Sequence, residues 1–201
     1  MRIITGEFKG RRFDIPRSFK ARPTTDFAKE NIFNVLGGYT DFEGAAALDL
    51  FAGTGSISLE MLSRGCSRVV SVEADRDHAR FIAECVRKLG VNNHTLIRGD
   101  VFRFVKKASP NAGGWNGAFN LIFADPPYQL PNLPTIPNLI FENNLLAPGG
   151  IFVFEHGKQN DFSLHPHFRE HRAYGSVNFS IFTNETVGQA EIENEELKTD
   201  H

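Results

Sequence analysis

Cysteine is nearly absent from this 201-residue chain: Cys66 and Cys85 are the only two. Two isolated thiols exclude a disulfide framework and a cysteine-rich metal cluster. One Trp and three Tyr stand beside nineteen Phe, which points to a Phe-rich core and says nothing about activity. No apolar run is long enough to span a bilayer. The basic first twenty residues lack the apolar stretch of a secretory signal. The expectation is therefore a soluble, cytoplasmic protein. Excess charge is also missing, with a formal net charge of −2.

The distribution of that charge is more informative than its sum. Residues 1 to 22 hold Arg2, Lys9, Arg11, Arg12, Arg17, Lys20 and Arg22 against Glu7 and Asp14. Residues 184 to 201 hold Glu185, Glu191, Glu193, Glu195, Glu196 and Asp200 against Lys198. A basic start suits an acidic partner, and an acidic end masks it in the total. Three parts are expected: a basic hairpin extension over 1–21, a main domain over 22–183, and an acidic, unstructured tail over 184–201.

Within the main domain strands and helices alternate. Thr24, Thr25 and Asp26 offer N-caps for a helix to about Leu36. Apolar strands are predicted at 45–51, 68–72, 94–97, 119–124 and 151–155, with helices at 54–63, 77–89, 101–108 and within 135–146. Ala147-Pro148-Gly149-Gly150 is read as a break before the last of those strands. Two more strands surround Tyr174-Gly175-Ser176. Fully apolar strands alternating with helices imply an α/β fold, a doubly wound, mostly parallel sheet with an antiparallel terminal hairpin.

Two turns carry the chemistry. The first is Asp49-Leu50-Phe51-Ala52-Gly53-Thr54-Gly55. Its glycines allow a tight turn and close approach of a ligand, and the helix behind it presents free N–H groups. Glu73, twenty residues past Gly53, ends the next strand and is placed to accept from ribose hydroxyls. Ser58 occupies the position where a dinucleotide fingerprint needs a small Gly or Ala. Asp49 would repel a pyrophosphate and suits a positive amino group. S-adenosylmethionine, with an adenosine, an ammonium and a sulfonium but no phosphate, meets these requirements. Asp100 either reaches the adenine amino group or caps the helix beginning at Val101.

The second turn is Asp125-Pro126-Pro127-Tyr128, directly after an apolar strand. Prolines donate no backbone hydrogen bond, so the strand stops in a rigid turn. The Asp125 side chain and the Pro126 carbonyl can accept two amino hydrogens and direct the nitrogen lone pair at a methyl donor. Tyr128 can stack on an extruded base. Neither cysteine adjoins this turn, which argues against a thiolate-dependent pyrimidine C5 methyltransferase. His165, His167 and His171 lack supporting acids or cysteines, so no metal is expected. His156 and Lys158 either border the site or merely follow a strand.

DLFAGTG at 49–55, Glu73, Gly99-Asp100 and DPPY at 125–128 together resemble class I S-adenosylmethionine-dependent methyltransferases that act on exocyclic amino nitrogens. Residues 1–13, 22–37, 48–65 and 119–128 further resemble the bacterial 16S ribosomal RNA guanine-N2 methyltransferase family, type D. The resemblance covers about residues 1 to 183. It implies S-adenosylmethionine bound by Asp49, Phe51, Ala52, Gly53, Thr54, Gly55, Glu73, Asp100 and Val101, with Asp125, Pro126 and Tyr128 at the reacting amine. It also implies 16S rRNA, in a small subunit or an assembly intermediate, contacted by Arg2, Lys9, Arg11, Arg12, Arg22, Thr24 and Thr25. A monomer without a metal is expected. The alternatives are an adenine-N6 or cytosine-N4 nucleic-acid methyltransferase, a non-catalytic RNA-binding assembly factor and a nicotinamide oxidoreductase.

Overall fold

The computed structural model describes residues 1–19, 24–108 and 118–185. Its centre is a seven-stranded sheet of order β3-β2-β1-β4-β5-β7-β6. The strands are β1 Ala46–Leu50, β2 Arg68–Glu73, β3 His94–Arg98, β4 Phe119–Ala124, β5 Leu146–His156, β6 Phe168–Tyr174 and β7 Val177–Thr183. The first five run parallel, whereas β7 is antiparallel to both β5 and β6. The expected doubly wound sheet with a terminal hairpin is what forms.

Among the described residues five α-helices cover it: α1 Asp26–Leu36, α2 Ser56–Ser63, α3 Arg76–Leu89, α4 Val101–Ala108 and α5 Ile136–Glu142. Side chains alternate across each strand, so the sheet separates two cores. Ala47, Val69, Leu121, Phe123, Ile151 and Val153 meet α1, α2 and part of α3. Leu48, Leu50, Val70, Val72, Ile122, Phe152 and Phe154 meet α4 and α5. Helix boundaries follow their capping chemistry: Thr25 Oγ1 accepts from Ala28 N–H, and Asp75 accepts from Asp77 and His78 N–H.

One expectation needs correction. Ala147-Pro148-Gly149-Gly150 does not precede β5 but lies inside it. Phe119 pairs with Leu146 and Leu121 with Ile151, so the extra residues bulge out of the ladder. Pro148 and the two glycines are tolerated because a bulge releases them from regular pairing. The small N-terminal hairpin forms as expected. It has one isolated bridge, Arg2 with Arg12, supported by Ile3 N–H to the Arg11 carbonyl and Phe13 N–H to the Met1 carbonyl, both 3.0 Å.

What fixes that segment is a buried polar joint. Glu60 of α2 accepts from Ile4 N–H at 2.9 Å, Thr5 N–H at 3.0 Å and Arg64 Nε at 3.0 Å. Lys29 of α1 lies 3.6 Å from Glu60 and donates to the Arg2 carbonyl and Ser56 Oγ. Burial lowers the Lys29 pKa, opposed by the Glu60 charge. Among the described residues no helix is long and apolar enough to cross a membrane. The proposed tail falls almost wholly outside the described residues.

Candidate active site

Parallel pairing places the strand ends level. Leu50 is opposite Val72 and Ala124, and Ala124 is opposite Phe154. One residue further on, Glu73, Asp125 and Glu155 therefore emerge at the same carboxyl edge. By the period-two alternation they share the face of Asp49, the side covered by α1 and α2. This is the edge where an open α/β sheet binds its ligands.

At the glycine turn, Phe51, Gly53 and Gly55 all have positive φ, at 61°, 54° and 76°. For Phe51 that conformation is strained, and its ring lies 6.3 Å from that of Phe102. A Cβ on Gly55 would come within 2.9 Å of Ile82 Cγ1, so α3 closes off any side chain there. Glu73 Oε2 accepts from Gly53 N–H at 2.7 Å, and Oε1 accepts from Asp75 N–H at 2.8 Å. Two of its four acceptor positions are used, which leaves capacity for a diol. Ala52 and Thr54 are buried in the turn, and Val101 is buried under β2 and β1. Asp100 is exposed, and its Oδ1 accepts from Arg103 N–H at 2.9 Å, so it caps α4.

Asp49 is a support in this packing. It is 1% exposed, and its Oδ2 accepts from both the N–H and the hydroxyl of Ser58. Ser58 Oγ continues to Ser71 Oγ at 2.6 Å, and Ser71 to His94 Nε2 at 2.7 Å. Ser58, a poor match for a dinucleotide fingerprint, is thus the residue that ties the first strand to α2. Burial pushes the Asp49 carboxyl up to about 7, against the bonds from Ser58.

At the proline turn, Asp125 is half-buried, Pro126 buried and Pro127 exposed. Asp125 N–H reaches the Leu50 carbonyl at 3.3 Å, which joins the two turns. Tyr128 Oη donates to Glu155 Oε1 at 2.8 Å, and Thr24 Oγ1 makes a long 3.5 Å contact with Oε2. Burial raises the Asp125 pKa well above the carboxylate range, reinforced by the charges of Glu155 and Asp49. Glu155 is raised by burial and held back by hydrogen bonds from Tyr128, Asp125 and Thr24. Burial and the two acids raise the Tyr128 phenol further, so it stays a donor. Glu155 was missed by sequence reasoning. Its signal was available: an acid ending an apolar strand, as Glu73 and Asp125 do.

The remaining predicted residues divide. Thr25 caps α1, and Arg2 Nε pairs with Asp26 at 3.0 Å. Lys9, Arg11 and Arg12 are exposed, and an Arg11 amino group donates to the Lys88 carbonyl at the far end of α3. Arg22 lies outside the described residues. His156 is buried, with one ring nitrogen on the Gly157 carbonyl and the other on Ser180 Oγ, and serves the core. Lys158 is exposed beyond it. His165 and His167 pack against Phe141. Burial pushes both cysteine thiols up to about 12, so neither supplies a thiolate.

Acids from four strand ends, a backbone turn open to close approach and a phenol anchored by one of those acids suit a ligand with hydroxyls and positive centres. A phosphate-bearing cofactor would be repelled. Comparison with known proteins agrees with this geometry. The family described as Conserved hypothetical protein 95 matches residues 1–183. A Bacillus subtilis protein, YlbH, named as a candidate rRNA methyltransferase, is 36% identical over 160 residues, covering 79% of this chain and 84% of its own. The ribosomal RNA small subunit methyltransferase D of Escherichia coli K12 is 29% identical over 201 residues, covering 96% and 94%. A solved Escherichia coli structure, titled as a candidate methyltransferase, superposes with a TM-score of 0.77 at 27% identity, covering 92% and 98%.

Proposed function

The chain belongs to the family described as Conserved hypothetical protein 95, with class I methyltransferase architecture, and on that premise we propose that it methylates N2 of a guanine in small-subunit ribosomal RNA. The cofactor is S-adenosylmethionine, which the acid-lined, phosphate-excluding edge fits. When bound, it supplies an electrophilic methyl group.

The observation that carries the reading is the juxtaposition of Asp125 and Tyr128 with the glycine turn on one sheet edge, joined through Asp125 N–H and the Leu50 carbonyl. Glu73 and the backbone of 51–55 hold the nucleoside part. Asp125 and the Pro126 carbonyl accept the two amino hydrogens, so the nitrogen lone pair, otherwise delocalised into the base, points out of the ring plane. The Pro-Pro turn makes this acceptor pair rigid before the substrate arrives. Tyr128 covers the base, with its ring fixed by Glu155. After transfer the nitrogen is strongly acidic, and Asp125 or water takes its proton. The choice of ribosomal RNA rests on the names of the relatives and on the basic N-terminal segment. The choice of guanine rests on the resemblance of residues 1–37.

The test is methyl transfer from labelled cofactor to small-subunit particles lacking the modification and to free RNA, followed by nucleoside identification. N2-methylguanosine is expected. N6-methyladenosine or N4-methylcytidine would replace this reading with another amino-methyltransferase. Asp125→Ala should lower turnover at least about 100-fold, in the range of lost oriented acceptors, while calorimetry shows the cofactor still bound. Methylation at the wild-type rate in that variant would remove Asp125 from the chemistry.

A further inference from the structure

We propose that Glu155 is the residue that selects guanine, accepting the guanine N1–H while the neighbouring Asp125 accepts from the N2 amino group; this rests on the guanine-N2 reading above. The argument begins with β4 and β5. Ala124 and Phe154 are paired across the ladder, so Asp125 and Glu155 leave adjacent strands at one level and on one face. Adjacent strands lie about 4.8 Å apart. Two carboxylates are thus held side by side at a largely buried edge, where like charges are costly. Among the described residues no lysine or arginine side chain forms an ion pair with either one.

Ionised carboxylates only accept hydrogen bonds. Without a ligand Asp125 donates a proton to Glu155 across the pair; once that proton is gone the two form an acceptor-only wall, satisfied by a ligand edge that presents two donors in a row. Guanine has that edge in N1–H and the N2 amino group. Adenine and cytosine present one amino donor beside a ring-nitrogen lone pair, which would face a carboxylate. A flipped base is read along this Watson–Crick edge. Glu155 keeps acceptor capacity for the contact: of its four acceptor positions Tyr128 Oη and Asp125 take one each, and Thr24 Oγ1 makes only a long approach to Oε2. The same bonds stop the Glu155 side chain from swinging away. Tyr128, which covers the base, is oriented by the group that reads it.

The test compares guanine with 2,6-diaminopurine at the methylated position of reconstituted small-subunit RNA. Both bases carry the same N2 amino group, and 2,6-diaminopurine has a lone pair in place of N1–H. The wild-type enzyme should prefer guanine by about 10- to 100-fold in kcat/KM, the worth of one hydrogen bond to a charged acceptor. Glu155→Gln, whose amide can donate to that lone pair, should reduce the preference at least about tenfold, with cofactor binding retained by calorimetry. Glu155→Asp, which keeps the charge, should keep the preference at a lower rate. An equal loss on both bases in Glu155→Gln, or a wild-type enzyme indifferent to N1–H, would overturn the assignment. If Glu155→Gln fails to fold, the wild-type preference and the Glu155→Asp variant decide it. Absence of N2-methylguanosine in the wild-type reaction is a different failure and belongs to the parent reading.

Discussion

At the scale of single residues, the acids on the sheet edge are the informative feature, because each does something different. Glu73 braces a backbone turn, Asp49 braces a helix, Glu155 anchors a phenol and Asp125 is left at the mouth. Protonation turns one Asp125 oxygen from an acceptor into a donor, so in the proposed chemistry its raised pKa sets the acid limb of the rate profile. Burial is the larger cause, followed by the charges of Glu155 and Asp49. Groups facing it include Tyr128, whose phenol is neutral, and Glu155, which shares a hydrogen bond with it. On that proposal activity should be full above the raised Asp125 pKa and be lost as pH falls through it. That limb should therefore lie at higher pH than for an ordinary carboxylate. Glu155→Gln removes one like charge and leaves burial in place, so the limb should move to lower pH without reaching the ordinary range. The profile of single-turnover rate against pH checks this, and an unmoved limb would mean that the two acids do not interact.

At the scale of elements, most of the architecture was legible because the signals were local. Apolar runs gave the strands, and Thr25 gave the start of α1. The Pro pair ended β4 at Ala124, as expected. What escaped depends on contacts between distant segments. The bulge in β5 is defined by pairing with β4 some thirty residues earlier, and Pro-Gly-Gly reads locally as a break. Glu60 and Lys29 read as the polar side of amphipathic helices, yet both are buried where the N-terminal segment docks. Ser58 and Glu155 likewise acquire their roles only when α2 and β5 reach the edge. The docking joint gives a stability prediction. Glu60→Ala leaves Ile4 and Thr5 N–H without acceptors and Lys29 without its counter-charge. Breaking one partner of a buried pair costs about 3–5 kcal/mol, partly relieved because burial already favours neutral Lys29. Urea unfolding should show that loss at unchanged slope. A loss under about 1 kcal/mol would mean that water replaces Glu60 in the joint.

At the scale of the whole molecule, the distribution of charge separates the chemistry from the proposed RNA grip. The proposed reacting edge carries Glu73, Asp125 and Glu155, and the basic side chains of Lys9, Arg11 and Arg12 lie elsewhere. Arg11 donates to the Lys88 carbonyl near the end of α3, which starts beside Glu73 and is 14 residues long. At 1.5 Å per residue the two ends are roughly 20 Å apart. Lys9, Arg11 and Arg12 therefore suit phosphates far from the target base, in a folded RNA rather than a short strand. Arg2 is engaged with Asp26 and is the weaker candidate. Each phosphate contact adds roughly 0.7–0.9 to the slope of log K against log salt. Charge reversal of both Arg11 and Arg12 should flatten that slope by roughly 1.4 to 1.8 for small-subunit RNA and raise KM. Turnover at saturating RNA should change little, since neither side chain reaches the edge that holds Asp125. A slope equal to the wild-type value would take the N-terminal hairpin out of the RNA interface. A fall in turnover at an unchanged KM would mean instead that the hairpin acts on the site through the Glu60 joint.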